Sequence, residues 1–390
     1  MTPLPFRSVD GAGAAGRRLA LVAACSAMLV FALSAAILPA ALLRAAAELR
    51  VGAAVLARVV ATQFGAFFIS TLVGGLLSER TGKRTILMGG CLLTAAGAGC
   101  WTVVDGLAGA HVAAALLGLG GGILESLGSA LLADLYPERH KFVLNVTQIA
   151  YCAGAAAAPA VMALLLPLGV SWRFFFTGEV LLGLVLLVLY WLSPAPAPAG
   201  SVPAAAGGPA HPLRDPFVRR LALALFGYVL AEAGLVMGAA VYLQVRHQAP
   251  EPWAILAITL VWVGMLIGRV LCAALPERLP TERLVGGLAL AGAITLGAQW
   301  GASGWPASLA LFVLAGFTCS GIWPLIVALG VTRRPERSGA AAGVVIAGGS
   351  LGVVAAPLLV SALIDGPAAG LLYPLFAGAM LITAALVVRA

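Results

Sequence analysis

Two acids stand inside long apolar runs. Glu125 follows Gly120-Gly121-Gly122-Ile123-Leu124, and Glu232 lies in Tyr228-Val229-Leu230-Ala231-Glu232-Ala233. A carboxylate facing lipid costs about 2.5–3.5 kcal/mol on insertion scales, so both are expected to face the protein interior. There a carboxyl group can take up and release a proton, or hold a cation. An interhelical hydrogen bond is the structural alternative for each. Asn145 and Gln148 fall one helical turn apart in Leu144-Asn145-Val146-Thr147-Gln148, hence on one face. Amides both donate and accept, which suits a hydroxyl-rich solute, and they also bridge membrane helices. Trp323 and Trp262 are interior to apolar blocks, where an indole either packs in the core or forms a platform for a ring.

Other chemistries have no matching residues. His111, His140, His211 and His247 are scattered without ligand spacing, and no Ser/His/Asp or Cys/His arrangement is visible. The six cysteines (Cys25, Cys91, Cys100, Cys152, Cys272, Cys319) lie within apolar blocks and read as small hydrophobic fillers. Gly118-Leu119-Gly120-Gly121-Gly122 has neither the preceding strand nor the spacing of a dinucleotide loop. Gly118 and Gly122 instead form a small-xxx-small step for close helix packing. Neither an enzyme nor a cofactor or metal site is expected. The net charge of +8 comes from short basic clusters between apolar blocks, which argues for membrane orientation over nucleic-acid binding.

The elements that hold these residues follow from composition. The chain has 390 residues, 62% hydrophobic and 10% charged, too little charge to cover a water-facing surface. Blocks of about 20 apolar residues recur, the length a spanning helix needs. They are continuous Leu/Ala/Val/Gly runs, which excludes the alternation of a membrane barrel. Twelve spans are expected at 19–43, 53–77, 85–104, 109–134, 142–168, 172–193, 218–244, 253–275, 284–302, 306–331, 340–364 and 369–388. With the N-terminus inside, only Arg44, Arg50, Arg173 and Arg246 fall outside, and Arg58 and Arg269 lie within spans. The remaining seventeen of the 23 Lys and Arg are cytoplasmic, as the positive-inside rule requires. The Pro/Ala/Gly-rich stretch 194–216 reads as a cytoplasmic linker between six-helix halves at 1–193 and 217–390. In such duplicated folds the solute usually binds between the halves. By helical rise, Glu125 lies about 22 Å in from its outer end and Glu232 about 20 Å from the cytoplasmic side. Arg58 and Glu179 lie within a few turns of the outer surface, to snorkel separately or to pair as a gate. Trp101, Trp172, Trp191, Trp253, Trp300 and Trp305 sit at span ends, as interfacial anchors do.

After the second span comes Gly75-Leu76-Leu77-Ser78-Glu79-Arg80-Thr81-Gly82-Lys83-Arg84. This resembles the loop signature of the major facilitator superfamily, with Glu79 where that family most often has Asp. The resemblance implies twelve helices in two six-helix bundles, alternating access, and a charge relay through Gly75, Glu79, Arg80, Gly82, Lys83 and Arg84. A weaker echo, Gly268-Arg269 then Glu277-Arg278, follows span eight, placing Arg269 in a matching gate or as a snorkelling residue. The segments around Glu125, Asn145/Gln148, Glu232 and Trp323-Pro324 resemble those of fucose permease-like sugar:proton symporters. Residues 19–43 lack the acid that the fucose permease has in its first span. That likeness implies a monomeric inner-membrane symporter of a small polar solute, sugar or polyol, driven by protons. Glu125 and Glu232 would then couple protons, while Asn145, Gln148 and Trp323 bind the solute. Proton-driven efflux of drugs or metabolites is the alternative on the same fold. The drug-antiporter signature Gly-Pro-x-x-Gly-Gly is incomplete here, at Gly154-Ala155-Ala156-Ala157-Ala158-Pro159-Ala160. A membrane sensor or enzyme is the third reading.

Overall fold

The computed structural model describes residues 13–136, 140–194, 215–274, 279–333, 338–364 and 367–388. They are helical almost throughout: α1 (Ala14–Glu48), α2 (Ala53–Thr81), α3 (Lys83–Val103), α4 (Leu107–Leu135), α5 (His140–Leu165), α6 (Arg173–Leu192) and α7 (Pro216–His247). There follow α8 (Glu251–Ala274), α9 (Thr281–Ala298), α10 (Trp305–Cys319), α11 (Ile322–Thr332), α12 (Ser338–Leu363) and α13 (Leu372–Val388). Twelve segments among the described residues are long and apolar enough to cross a membrane, and they coincide with the twelve expected blocks. The tenth is one span built from two helices, α10 and α11, where the sequence reading expects one. The linker expected at 194–216 lies largely outside the described residues. Asp215 at its end caps α7, accepting from the Phe217 amide at 2.9 Å ahead of a proline at the first helical position.

The chain divides into two compact units that do not follow the chain order. One takes residues up to Leu38, Thr62–Ala158 and the chain from Gly169 through α6. The other takes Pro39–Ala61, Pro159–Leu168 and α7 onward. Helices α1 and α5 pass from one unit to the other at Pro39 and Pro159, prolines inside each helix. A proline removes one ladder hydrogen bond and crowds the preceding turn, so these are natural points of bending.

Within the first unit, α4 is gripped by its neighbours through glycines. A Cβ on Gly118 would stand 1.9 Å from the Gln63 carbonyl oxygen, and one on Gly122 would stand 2.3 Å from that of Phe67. The small-xxx-small step expected in α4 thus seats it directly on the backbone of α2. A Cβ on Gly121 would enter the Phe31 ring of α1 at 2.6 Å, and one on Gly120 would meet Thr94 of α3. The second unit repeats the device: Gly264 and Gly268 of α8 lie against the Val313 and Phe317 carbonyls of α10, and Gly316 against Val261. Small residues permit such approach, and dispersion does the rest in a medium as apolar as the side chains. Aromatic residues fill what remains. Trp101, Trp172 and Phe176 pack in the first unit, with the Arg173 guanidinium 4.7 Å from the Trp172 ring. Tyr242, Phe312, Tyr373 and Phe376 do the same in the second. Trp101 and Trp172 are buried in protein, so their place at span ends reflects the core; Trp191, Trp253 and Trp300 are exposed there, as anchors are.

The Gly118→Ala protein is expected to lose roughly 1–3 kcal/mol of stability, since the added methyl meets backbone that cannot rotate away. Gly65→Ala, whose Cβ meets nothing within 4 Å, should be neutral or slightly stabilising. Thermal melting of both purified proteins checks this, and equal melting temperatures would contradict the close-approach account.

Candidate functional site

In the first unit the glycine grip fixes Glu125. It stands one turn beyond Gly121 on the same α4 face, so the Phe31 ring covers the surface leading to it. The acid is half-buried, about 8 Å from the middle of the span Leu107–Leu132. Phe31 stacks on Phe67 of α2 with centroids 5.0 Å apart and leans on Tyr151 of α5 at 5.6 Å. Tyr151 is one turn from Gln148, which is also half-buried. The side chain of Asn145 lies outside the described residues. By helical spacing, the Glu125 carboxyl and the Gln148 amide each stand one turn from a residue of this aromatic stack, Gly121 under Phe31 and Tyr151 respectively. The aromatic residues were not singled out from the sequence, because Phe and Tyr inside a span look like any other core side chain.

In the second unit, the break between α10 and α11 arranges the chemistry. Pro324 has no N–H to give the Ser320 carbonyl four residues back, and its ring crowds that carbonyl. The helix opens over Ser320 and Gly321, and the freed carbonyls turn to side chains. Tyr228 of α7 donates its hydroxyl to the Cys319 carbonyl at 2.8 Å. Arg269 of α8 donates Nε to the Ser320 carbonyl at 3.3 Å and approaches the Met265 sulfur at 3.6 Å. Glu232, one turn from Tyr228, interacts with that hydroxyl and with the Arg269 charge. It stands at the middle of the span Pro216–His247. Non-helical backbone at membrane depth is tolerated only where protein or a cavity satisfies it, and here Tyr228 and Arg269 do so. Arg269, read from the sequence as a gate or snorkelling residue, is held to the broken helix beside Glu232. Trp323 is 38% exposed at the start of α11 and lies in this segment.

A family model described as Major Facilitator Superfamily matches residues 19–296, well over half the chain. The chain belongs to the major facilitator superfamily. Solved structures similar to it include a D-xylose-proton symporter, with TM-score 0.77 and 18% identity over 95% of this chain and 97% of that one. A point mutant of the nucleoside transporter NupG gives 0.78 and 12% over 95% and 99%. The human organic anion transporter MFSD10 (TETRAN) gives 0.68 and 18% over 95% and 99%. At these identities the likeness is one of fold. No curated protein matches the chain in sequence. The protein is thus a multi-pass membrane transporter, and not an enzyme.

The superfamily loop signature is only partly visible. Gly82 has φ 86°, a left-handed conformation that favours glycine, and it is the turn into α3. Lys83 pairs with Asp134 at the far end of α4, tying that helix to the loop. Arg84 is half-buried. The side chains of Gly75, Glu79 and Arg80 lie outside the described residues, as do Glu277 and Arg278 of the echo. Arg58 donates Nε to Ser361 of α12 at 3.0 Å, while Glu179 is fully buried against Ser34 of α1. In the second unit Arg44 engages Glu251 through two nitrogens.

Removing Arg269 leaves the Glu232 carboxyl without its nearby positive charge. Arg269→Met should destabilise the protein by up to roughly 3–5 kcal/mol, and adding Glu232→Gln should recover much of that loss. A double variant no more stable than Arg269→Met would break the proposed electrostatic link.

Proposed function

We propose that the protein is a proton-coupled transporter that takes up a small polar solute, a sugar or polyol, by alternating access. The observation that carries the reading is the first-unit group: a half-buried carboxyl on α4, the Gln148 amide and the Phe31, Phe67 and Tyr151 rings. An aromatic face packs against the C–H face of a sugar ring, and an amide satisfies its hydroxyls in both directions. A carboxyl at membrane depth exchanges protons with whichever side it is open to, which ties solute movement to the proton gradient. Glu125 has this role in the proposal, with Glu232 as a second proton-linked acid and Asn145, Gln148 and Trp323 as solute contacts. The loop from Gly75 to Arg84 latches one conformation through Glu79, Arg80, Gly82, Lys83 and Arg84, with Arg269 as its counterpart.

Two of the similar structures are of a sugar-proton symporter and a nucleoside transporter, both acting on hydroxyl-rich solutes, which supports this choice of solute class. The short segments shared with fucose permease-like symporters support the same choice. The bias of Lys and Arg supports cytoplasmic termini in a cell inner membrane, and the protein acts as a monomer in this reading.

Glu125→Gln removes the exchangeable proton while keeping shape. In proteoliposomes its pH-driven accumulation of solute should collapse while solute exchange survives; unchanged accumulation removes Glu125 from the coupling step. The solute class is tested by thermal shift. A ligand at about a hundred times its Kd stabilises by about 2.7 kcal/mol, so one sugar or polyol family should raise the melting temperature. Stabilisation by lipophilic cations alone would replace uptake with efflux.

A further inference from the structure

The most deeply buried acid among the described residues is one the function above does not use. Glu179 of α6 is 1% exposed, about 5 Å from the middle of the span Arg173–Leu192. Its Oε1 meets the Ser34 hydroxyl of α1, and its Oε2 has no partner among the described residues. Ser34 is itself a junction. Its hydroxyl lies 3.1 Å from the Val30 carbonyl, and its own carbonyl accepts from Gln63 of α2 at 3.3 Å.

A hydroxyl has one proton to give. The Val30 carbonyl only accepts, so when Ser34 donates there, the hydrogen in its contact with Glu179 must come from the carboxyl. An ionised Glu179 would take that single proton from Ser34 and leave its second oxygen charged, dry and unpaired, which is costly. No cation offsets it among the described residues. Of the first unit's basic groups, Arg17 and Arg18 stand at the start of α1, Lys83 pairs with Asp134, His111 meets Thr62 at 2.8 Å, and Arg173 of α6 itself donates to the Trp101 and Val104 carbonyls. At this level α3 contributes Cys91 and Cys100, and α5 contributes Tyr151 and Cys152; Lys83 and Arg84 stand at the start of α3, about 22 Å along the helix from Gly99, which faces Val180 beside Glu179.

We propose that Glu179 is a proton-binding site of the first unit, separate from Glu125, whose carboxylic acid O–H donates to Ser34 and joins α6 to α1. Loss of the proton to water gives a carboxylate that cannot donate, so the Ser34 hydroxyl must leave Val30 to meet it or the two helices must part. Proton occupancy therefore sets a contact between two spans. Its place in a transport cycle rests on the function proposed above; the occupancy itself does not.

Infrared difference spectra of the purified full chain, alkaline minus neutral, read the proton directly. The wild type should lose a protonated-carboxyl carbonyl band, Glu179→Gln should lack that band, and Glu125→Gln should keep it. Ser34→Ala should retain the band at a shifted frequency, since its hydrogen-bond acceptor is gone, which keeps the test open if Glu179→Gln fails to fold. A band set identical in wild type and Glu179→Gln, or unshifted in Ser34→Ala, overturns the proposal. So does a melting temperature that rises with sodium or potassium in the wild type and not in Glu179→Gln, which would assign the carboxylate to a metal cation. Because these readouts need no solute, their failure is distinct from a failure of the transport reading.

Discussion

Backbone-on-backbone contact at glycine is the constraint on which the rest of this structure depends. In lipid the apolar side chains gain nothing by leaving their solvent, so helices adhere through close approach and through polar groups shared between them. Gly118 and Gly122 bring α4 onto α2, and Gly264 and Gly268 bring α8 onto α10. These contacts fix the rotation of each helix about its axis. That rotation decides whether Glu125 meets lipid or protein, and whether Arg269 reaches the opened turn before Pro324.

Polar groups at depth are then handled in three different ways. Around Pro324, the chain gives up helical bonds and returns the freed carbonyls to Tyr228 and Arg269. Around Ser34, three helices share one residue through its hydroxyl and its carbonyl. Around Glu125 no comparable tie is made among the described residues, and the acid stays half-buried one turn from the glycine that Phe31 covers. A tied group stabilises the fold and resists change. The proposed function rests on the less constrained carboxyl, Glu125 on α4.

Prolines also organise the larger division. Pro39 and Pro159 stand where α1 and α5 change from one compact unit to the other, so the units exchange chain at these prolines as well as between α6 and α7. The Arg44–Glu251 and Arg58–Ser361 contacts both lie within the second unit because of that division. Membership of the major facilitator superfamily explains the twelve spans. It does not by itself choose a solute, since similar folds carry quite different ones.

The sequence by itself determined how many spans there are, roughly where each begins and ends, which glycine step packs closely, and that Glu125 and Glu232 lie far from either end of their spans. Those properties follow from chain length, apolar runs and residue size, all of which are local. Only the tertiary structure decided that Glu179 is buried against Ser34, that Arg58 turns to Ser361, that Trp101 and Trp172 belong to the core, and that span ten opens at Ser320. The Pro324 signal for the last was present, but proline inside α1, α5 and α12 leaves those helices continuous. Whether a proline opens a turn depends on what accepts the freed carbonyls, here Tyr228 and Arg269 from other helices. Partners of that kind lie tens of residues away in sequence, and helix rotation, set by packing, brings them into reach.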